Sequence, residues 1–186
     1  MTATPATTAL PLAPGHWALD PNHSGVLFSV RHLGLSNVRG RFDRFDAALD
    51  VGTTLDQVEV TAEIDLSSVD TNNAERDAHL RSTDFFDTAT HPVMTFRTTS
   101  ITGDGENYEM TGDLTLAGTT KQVVLDVEFN GTEVHPGDQH LHAGFSATGT
   151  IKRSDFGIDF GLVLGAEKVM LGDKIKVELE MQFLAP

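Results

Sequence analysis

Strict alternation of apolar and polar residues constrains this chain more than any other feature. Successive side chains of a β-strand point to opposite faces, so a period of two predicts strands that bury one face only. Residues 57–66 and 122–129 show this period. The clearest case is residues 174–183, where charged or polar neighbours separate Ile175, Val177, Leu179, Met181 and Phe183.

Further strands are predicted by shorter stretches of the same character, at residues 16–20, 25–33, 37–50, 93–101, 107–116 and 141–153. Gly103-Asp104-Gly105 and Asn130-Gly131 are typical of turns between antiparallel strands, and the second predicts a hairpin. The apolar phase changes between Phe42 and Phe45, which predicts a β-bulge. One short helix is predicted near residues 72–82, with Asn and Thr side chains available to cap its start.

These elements predict the fold class. One-sided strands without crossover helices exclude a parallel α/β sheet and leave a sandwich or a closed barrel. A chain of 186 residues needs only one domain. We expect an all-β protein: a single antiparallel β-barrel of about eight strands over residues 16–186, preceded by a flexible N-terminal leader over residues 1–15. A barrel of that size can be wide enough to hold a small ligand.

Composition excludes several functions. The chain has 27 acidic and 13 basic residues and a formal charge of −14, so its field repels nucleic acid and anionic lipid headgroups. It has no cysteine, which rules out disulfides, thiolate zinc sites and a cysteine nucleophile. Neither a secretory signal nor a run of about 20 apolar residues is present. We therefore expect a cytoplasmic protein with no stable membrane insertion and no nucleic-acid partner.

Two ionisable side chains, His32 and Arg153, share the apolar phase of their strands. An unpartnered charge or imidazole in an apolar interior costs several kcal/mol, so both need partners, for which Asp20 and Asp155 are candidates. Either they are satisfied at the barrel rim, or they form the polar end of a ligand pocket. Small residues at other inward positions favour a cavity: Gly112, Ala143, Ala147 and Gly149.

Two segments allow alternative roles at the barrel ends. The predicted helix either plugs one end, or Leu80, Phe85 and Phe86 line a mouth where Arg76 meets the polar group of a ligand. Residues 156–171 form an unusually apolar loop. It folds onto the barrel, acts as a lid, or offers a partner surface that could support a homodimer.

Motifs for catalysis are missing from the sequence. It contains no nucleophile elbow, phosphate-binding loop, His-Glu-x-x-His helix or dinucleotide fingerprint, so we do not expect an enzyme. His140-Leu141-His142 places two imidazoles on one strand face, with His135 nearby. Their phase is opposite to that of Phe145 and Ile151, which predicts a solvated pair and no metal site.

Several separated motifs resemble those of one known family, the YceI-like polyisoprenoid-binding proteins, over residues 17–183. In chain order they are Trp17-Ala18-Leu19-Asp20-Pro21-Asn22-His23-Ser24, Phe28-Ser29-Val30-Arg31-His32-Leu33-Gly34, Val38-Arg39-Gly40-Arg41-Phe42, Arg76-Asp77-Ala78-His79-Leu80, Asp84-Phe85-Phe86-Asp87, His91-Pro92 with Phe96, Gly112-Asp113-Leu114-Thr115-Leu116-Ala117-Gly118, and Arg153-Ser154-Asp155-Phe156-Gly157. The chain departs from the family at Gln122, where a proline is frequent, and in lacking the signal peptide of many relatives.

This resemblance implies a lipocalin-like barrel that encloses an isoprenoid lipid, such as a polyprenyl or quinone molecule, with no further cofactor and no catalytic reaction. Matching motif positions make His32, Arg76 and Arg153 the expected polar anchors. Two alternatives remain: an enzyme acting on such a lipid with His32 as acid or base, and a solidly packed interaction scaffold. The expected ligand-binding residues are Phe28, Val30, His32, Phe42, Arg76, Leu80, Phe85, Phe96, Leu114, Phe145 and Arg153.

Overall fold

The structure, a computed structural model, describes residues 11–161 and 170–186. Its strands are β1 (Gly15–Leu19), β2 (Gly25–His32), β3 (Ser36–Phe42), β4 (Phe45–Val51), β5 (Glu59–Asp65), β6 (Val69–Asp70), β7 (Val93–Asp104), β8 (Asn107–Leu116), β9 (Thr119–Val134), β10 (Leu141–Lys152) and β11 (Leu171–Leu184). One α-helix, α1, spans Ala74–Arg81, and short 3-10 turns cover Pro21–His23, Leu55–Gln57, Leu66–Ser68 and Arg153–Phe156.

The strands close into a ring in which every pairing is antiparallel. From β4 the order runs β5, β7, β8, β9, β10 and β11, and β1 closes the ring by pairing with both β4 and β11. Three more strands extend the wall toward the opposite end of the barrel. There β2 pairs with β11 beyond β1, β3 pairs with β2, and β6 pairs with β3. The predicted all-β barrel of about eight strands, with one helix, is confirmed.

The barrel wall bends at the predicted change of phase. Strand β3 ends at Phe42 and β4 begins at Phe45, with Asp43 and Arg44 at the corner. The backbone N–H of Arg44 donates to Ser68 Oγ over 3.0 Å, and its guanidinium pairs with Asp65. The corner is therefore held by polar contacts from the next strand, and each half-strand can keep its own apolar face inward.

The predicted hairpin at Asn130-Gly131 is wrong. Strand β9 continues through it: Gly131 pairs with Gly144 and Phe129 with Phe145, which leaves Asn130 as the extra residue of a β-bulge. Gly131 has a φ of 107°, which favours glycine. Bulges and tight turns both use left-handed backbone, so an Asn-Gly pair alone does not distinguish them. The turn lies further on, where His135 N donates to His140 O.

Helix α1 lies at the end of the barrel where β6 ends. The Asn73 side chain caps its start by accepting from Arg76 N over 2.9 Å. The buried carboxylate of Asp77 accepts from the backbone N–H of Thr71 over 2.9 Å, and Arg81 donates to the carbonyl of Ser67. These bonds, rather than a broad apolar face, fix the helix to the barrel.

Apolar side chains at both ends of the barrel are fully buried. Trp17 packs with Ala143 and Phe183 at one end, and Leu66 and Val69 lie at the other. The indole N–H of Trp17 donates to Ala13 O over 2.9 Å.

The leader was predicted over residues 1–15, of which residues 1–10 lie outside the described part of the chain. Within the rest, Leu12 packs against the same core as Trp17, so this part of the predicted leader contacts the barrel. Among residues 11–161 and 170–186, no helix is long and apolar enough to span a membrane.

A pair of identical substitutions tests this packing. Val69 is 1% exposed and Val124 is 48% exposed. Val69→Ala is expected to lower the free energy of unfolding by about 2 kcal/mol, because it removes buried methyl groups. Val124→Ala should change it by less than about 0.5 kcal/mol. Urea unfolding measures both, and equal losses for the two variants would contradict the described burial.

Candidate functional site

The inner face of the barrel encloses a cavity of about 280 Å³. Several residues on its wall are only half-buried although they face inward, among them Val60, Ala62 and Leu179. Protein interiors normally leave few voids larger than a water molecule. The inward side chains therefore line the barrel without filling it.

The cavity runs along the barrel rather than across it. At one end its wall includes Leu12 and Leu55, and at the other Phe86 and Ile158. The alternating lining residues of β11 from Ile175 to Phe183 span eight residue steps, which at ~3.3 Å each and a strand tilt of ~40° cover roughly 20 Å of the barrel axis. The space is an elongated channel that suits a chain better than a compact ligand.

Among the described lining residues, all are apolar except Tyr108 and Arg153. The Tyr108 hydroxyl donates to Gly105 O over 3.0 Å, within the turn between β7 and β8. Burial, together with Asp104, raises the pKa of Tyr108 above its ordinary value, so the phenol stays neutral. Its hydroxyl is thus engaged by the protein itself.

Arg153 is 3% exposed, and its guanidinium binds four backbone carbonyls. Nε donates to Gly172 O over 2.8 Å and Nη2 to Leu171 O over 2.8 Å. Nη1 donates to Ile158 O over 3.1 Å and to Phe160 O over 2.7 Å.

These bonds give Arg153 a structural role, and its part in ligand binding stays a prediction. Its side chain joins the segment after the turn Arg153–Phe156 to the start of β11, as the structural interpretation expects. Asp155, one of the two candidate partners, is exposed, and the donors go to carbonyls because the chain folds back around the guanidinium. Burial lowers the pKa of Arg153, while the nearby carboxylates of Asp173 and Asp159 oppose this shift.

Two other expected polar anchors lie outside the described cavity wall. His32 is half-buried at the end of β2, and Arg76 is exposed on α1; the described cavity wall includes neither. Arg76 donates to the hydroxyl and the carbonyl of Thr71, both at 2.7 Å, because the helix cap turns its side chain toward that loop. Asp20, the other candidate partner named for these anchors, pairs with His23 at 2.7 Å.

Nine of the eleven predicted binding residues do lie on the cavity wall. They are Phe28, Val30, Phe42, Leu80, Phe85, Phe96, Leu114, Phe145 and Arg153. Their part in binding stays a prediction. The prediction omitted the inward residues of β11, such as Leu179 and Met181, although their alternation was the clearest signal in the sequence.

The small inward residues make room for neighbouring side chains more than for a ligand. A Cβ at Gly112 would lie 2.3 Å from the Phe96 ring, and one at Gly149 would lie 2.6 Å from Leu125 Cδ2. Ala143 is fully buried in the core around Trp17. Of the four small residues, Ala147 alone is among the described residues of the wall.

Aromatic side chains cover the helical end of the channel. The ring of Phe160 packs on Phe85 and on His79, with centroid distances of 5.1 and 4.8 Å. His79 Nε2 lies 2.8 Å from Asp84 Oδ2. The beginning of the apolar loop predicted over residues 156–171 thus folds onto the barrel end, while residues 162–169 of that loop lie outside the described residues.

The two histidines predicted to be solvated, His140 and His142, differ in burial. His140 is exposed, as expected, but His142 is only 7% exposed. It points away from the cavity, as its phase predicts, because its neighbour Ala143 packs inside. Asp20 and Asp138 lie against its outer side and bury it. The alternation of a strand shows which face a side chain occupies, but it does not show whether other segments cover that face.

Comparison with known proteins gives consistent results. A family model described as the YceI-like domain matches residues 17–183. A UPF0312 protein of Staphylococcus epidermidis is 42% identical over 165 residues, which are 88% of this chain and 94% of that protein.

Solved structures are similar over the same region. The crystal structure of the YCEI protein of Campylobacter jejuni has 35% identity and a TM-score of 0.72, covering 84% of this chain and 90% of that one. A polyisoprenoid-binding domain from Saccharophagus degradans, at 20% identity, shares the fold with a TM-score of 0.65 and covers 91% of this chain and 98% of its own.

Replacing Arg153 tests its role at the channel end. Arg153→Met leaves four carbonyls without their donor, and at ~1–3 kcal/mol for each unsatisfied buried group, less where water enters, we expect a loss of at least about 3 kcal/mol. Arg97→Met is the matched control, because Arg97 is exposed and pairs only with Glu59 among the described residues, a contact worth under about 1 kcal/mol. Chemical unfolding compares the two, and a similar small loss for both would refute the structural role.

Acid should weaken the contact between Asp173 and Ser154, which holds the turn Arg153–Phe156. Burial would raise the pKa of Asp173, but hydrogen bonds from Ser154 N and Oγ, with Arg153 and Lys152 nearby, outweigh it and lower the pKa. The stabilisation is therefore present above the unfolded-state value of about 4 and is lost as the pH falls below it. The Asp173→Asn protein should lose less stability than the wild type between pH 6 and 3 in urea unfolding; parallel curves would contradict this.

Proposed function

The chain belongs to the YceI-like domain family, and we propose that its barrel binds one isoprenoid lipid as a carrier or store. The observation that carries the proposal is the elongated apolar cavity. The two polar residues on its described wall already bind protein groups: the Tyr108 hydroxyl donates to a backbone carbonyl, and the Arg153 guanidinium donates to four. The structural neighbour described as a polyisoprenoid-binding domain supports the same class of ligand.

The physical basis of the proposed binding is burial of an apolar chain. Each Å² of apolar surface removed from water contributes roughly 25 cal/mol, so a chain that fills the channel gains affinity along its whole length. A wall of this kind offers a charged or hydroxylated group little compensation for lost hydration. We therefore place the polyprenyl tail inside, and the polar head of a polyprenyl or quinone molecule at an end of the channel.

The alternatives have weaker support. An acid or base must reach the reacting atom, and His32 is not on the described wall of the cavity. A packed scaffold requires an interior without a cavity, whereas this barrel contains about 280 Å³ of space. We keep binding without catalysis as the proposal; a cytoplasmic location and a homodimer remain predictions.

The direct test is to identify what the protein retains. Protein purified without added ligand is extracted with organic solvent, and the extract is analysed by mass spectrometry. We expect an isoprenoid lipid in near-stoichiometric amount, and we expect added polyprenols or quinones to raise the melting temperature of the delipidated protein. No isoprenoid lipid in repeated extractions, together with no thermal stabilisation, would overturn the proposal.

Neighbouring residues of β5 provide a matched pair of variants for this test. Ala62 lines the cavity, and Thr61 lies on the opposite face of the strand. Ala62→Phe adds a ring to the channel and should weaken lipid binding at least tenfold, or ~1.4 kcal/mol. Thr61→Phe should bind as the wild type does. Equal retention of lipid by both variants would show that the lipid lies outside the channel.

A further inference from the structure

A second group of polar side chains lies on the outside of the barrel, away from the cavity. His135 and Asp138 come from the turn between β9 and β10, and His142 comes from the start of β10. Asp20 and His23 come from the segment between β1 and β2. Two imidazoles and a carboxylate thus meet beside a second Asp-His pair.

Two of the distances within this group are close to those around a small metal ion. His142 Nε2 lies 3.2 Å from Asp138 Oδ2, and His135 Nδ1 lies 3.5 Å from Asp138 Oδ1. One ligand atom from each of the three residues lies within 4.8 Å of the others. Bonds of ~2.0–2.1 Å in a tetrahedral site place ligand atoms roughly 3.3 Å apart. Binding of one ion by all three residues requires the turn to contract. It also requires His135 Nδ1 to leave the backbone N–H groups of Gly137 and Asp138, from which it accepts over 3.2 and 3.3 Å.

The environment of His142 gives an independent reason for a cation. Its side chain is 8% exposed, and its Nδ1 is buried with no hydrogen-bond partner among the described residues. That atom lies 3.5 Å from the buried carboxylate of Asp20, whose oxygens are held by the N–H of Asn22 at 2.9 Å and by His23 at 2.7 Å. Metal-bound histidines characteristically donate their other ring N–H to such a carboxylate.

This arrangement assigns a direction to each ring nitrogen of His142. A proton on Nδ1 faces Asp20, which leaves the lone pair of Nε2 directed at Asp138. The 3.2 Å contact between Nε2 and Asp138 Oδ2 is a hydrogen bond only when Nε2 carries a proton; in the tautomer with the proton on Nδ1, a cation can take the place of that proton. A metal ion bound by Nε2, Asp138 and His135 would favour the Nδ1–H tautomer and make Asp20 a positioning residue.

We propose that His135, Asp138 and His142 bind a divalent transition-metal ion of the Zn²⁺ type, with Asp20 orienting His142. Imidazole and carboxylate ligands suit Zn²⁺, Co²⁺, Ni²⁺ and Cu²⁺. Three protein ligands leave a further position for water. Bound metal would tie the β9–β10 turn to the barrel wall beside β1, and it would stabilise the folded state by mass action. This inference does not depend on the lipid proposal.

The test titrates the full chain, first treated with a chelator and dialysed, with Co²⁺ alone and follows the visible absorption bands of the ion. We expect one ion per chain and displacement by Zn²⁺. Both His135→Ala and Asp138→Asn should bind at least ~10–100-fold more weakly. These side chains are about half exposed, so the metal-free variants are expected to fold, which circular dichroism checks.

His140→Ala is the matched control, because His140 is exposed in the same turn and only its backbone makes the recorded hydrogen bonds. It should bind Co²⁺ as the wild type does. Asp20→Asn should keep one ion per chain but shift the visible bands, which a purely structural role for Asp20 would leave unchanged. Unsaturable binding by the wild type, unchanged affinity in both ligand variants, or an equal loss in His140→Ala would overturn the proposal.

Discussion

The closure of the sheet by β11 is the interaction on which the rest of the molecule depends. This strand pairs with β10 along one edge and with β1 and β2 in turn along the other, so the barrel has no open seam there. A closed ring of eight strands has a fixed width, and its inward side chains must fit that width. Here they leave a channel, so the hollow interior follows from closure together with the size of the inward residues.

The polar groups at the channel then follow from a single requirement, that buried donors find acceptors. Tyr108 meets this requirement in its own turn, and Arg153 meets it with carbonyls from the start of β11 and from the segment after the turn Arg153–Phe156. The same requirement on the outside of the barrel is not met at His142 Nδ1 within the described residues. The contrast separates a wall whose polar groups are satisfied within the protein from the outer cluster in which we propose a metal ion.

Much of this fold could be predicted from local pattern, because alternation reports directly on which face of a strand is buried. Residues 174–183 predict β11 and its inward face, and the phase change between Phe42 and Phe45 predicts the corner of the wall. The partners of Arg153 could not be predicted, since they are carbonyls brought together by the path of the chain. The burial of His142 was missed for a similar reason: residues distant in sequence cover the outer face of β10. Gly112 was misread because its missing side chain accommodates Phe96, a contact across two strands.

The engagement of Tyr108 and Arg153 within the protein also bears on rates of exchange. An apolar guest in this channel would make contacts that vary little from one position to the next, so it could slide along the axis without breaking a hydrogen bond. The barrier to its departure would then lie at the ends, where the side chains of Leu80, Phe85 and Phe86 border the path. Residence time would be governed by the packing of these few side chains, while affinity would be governed by the length of the wall.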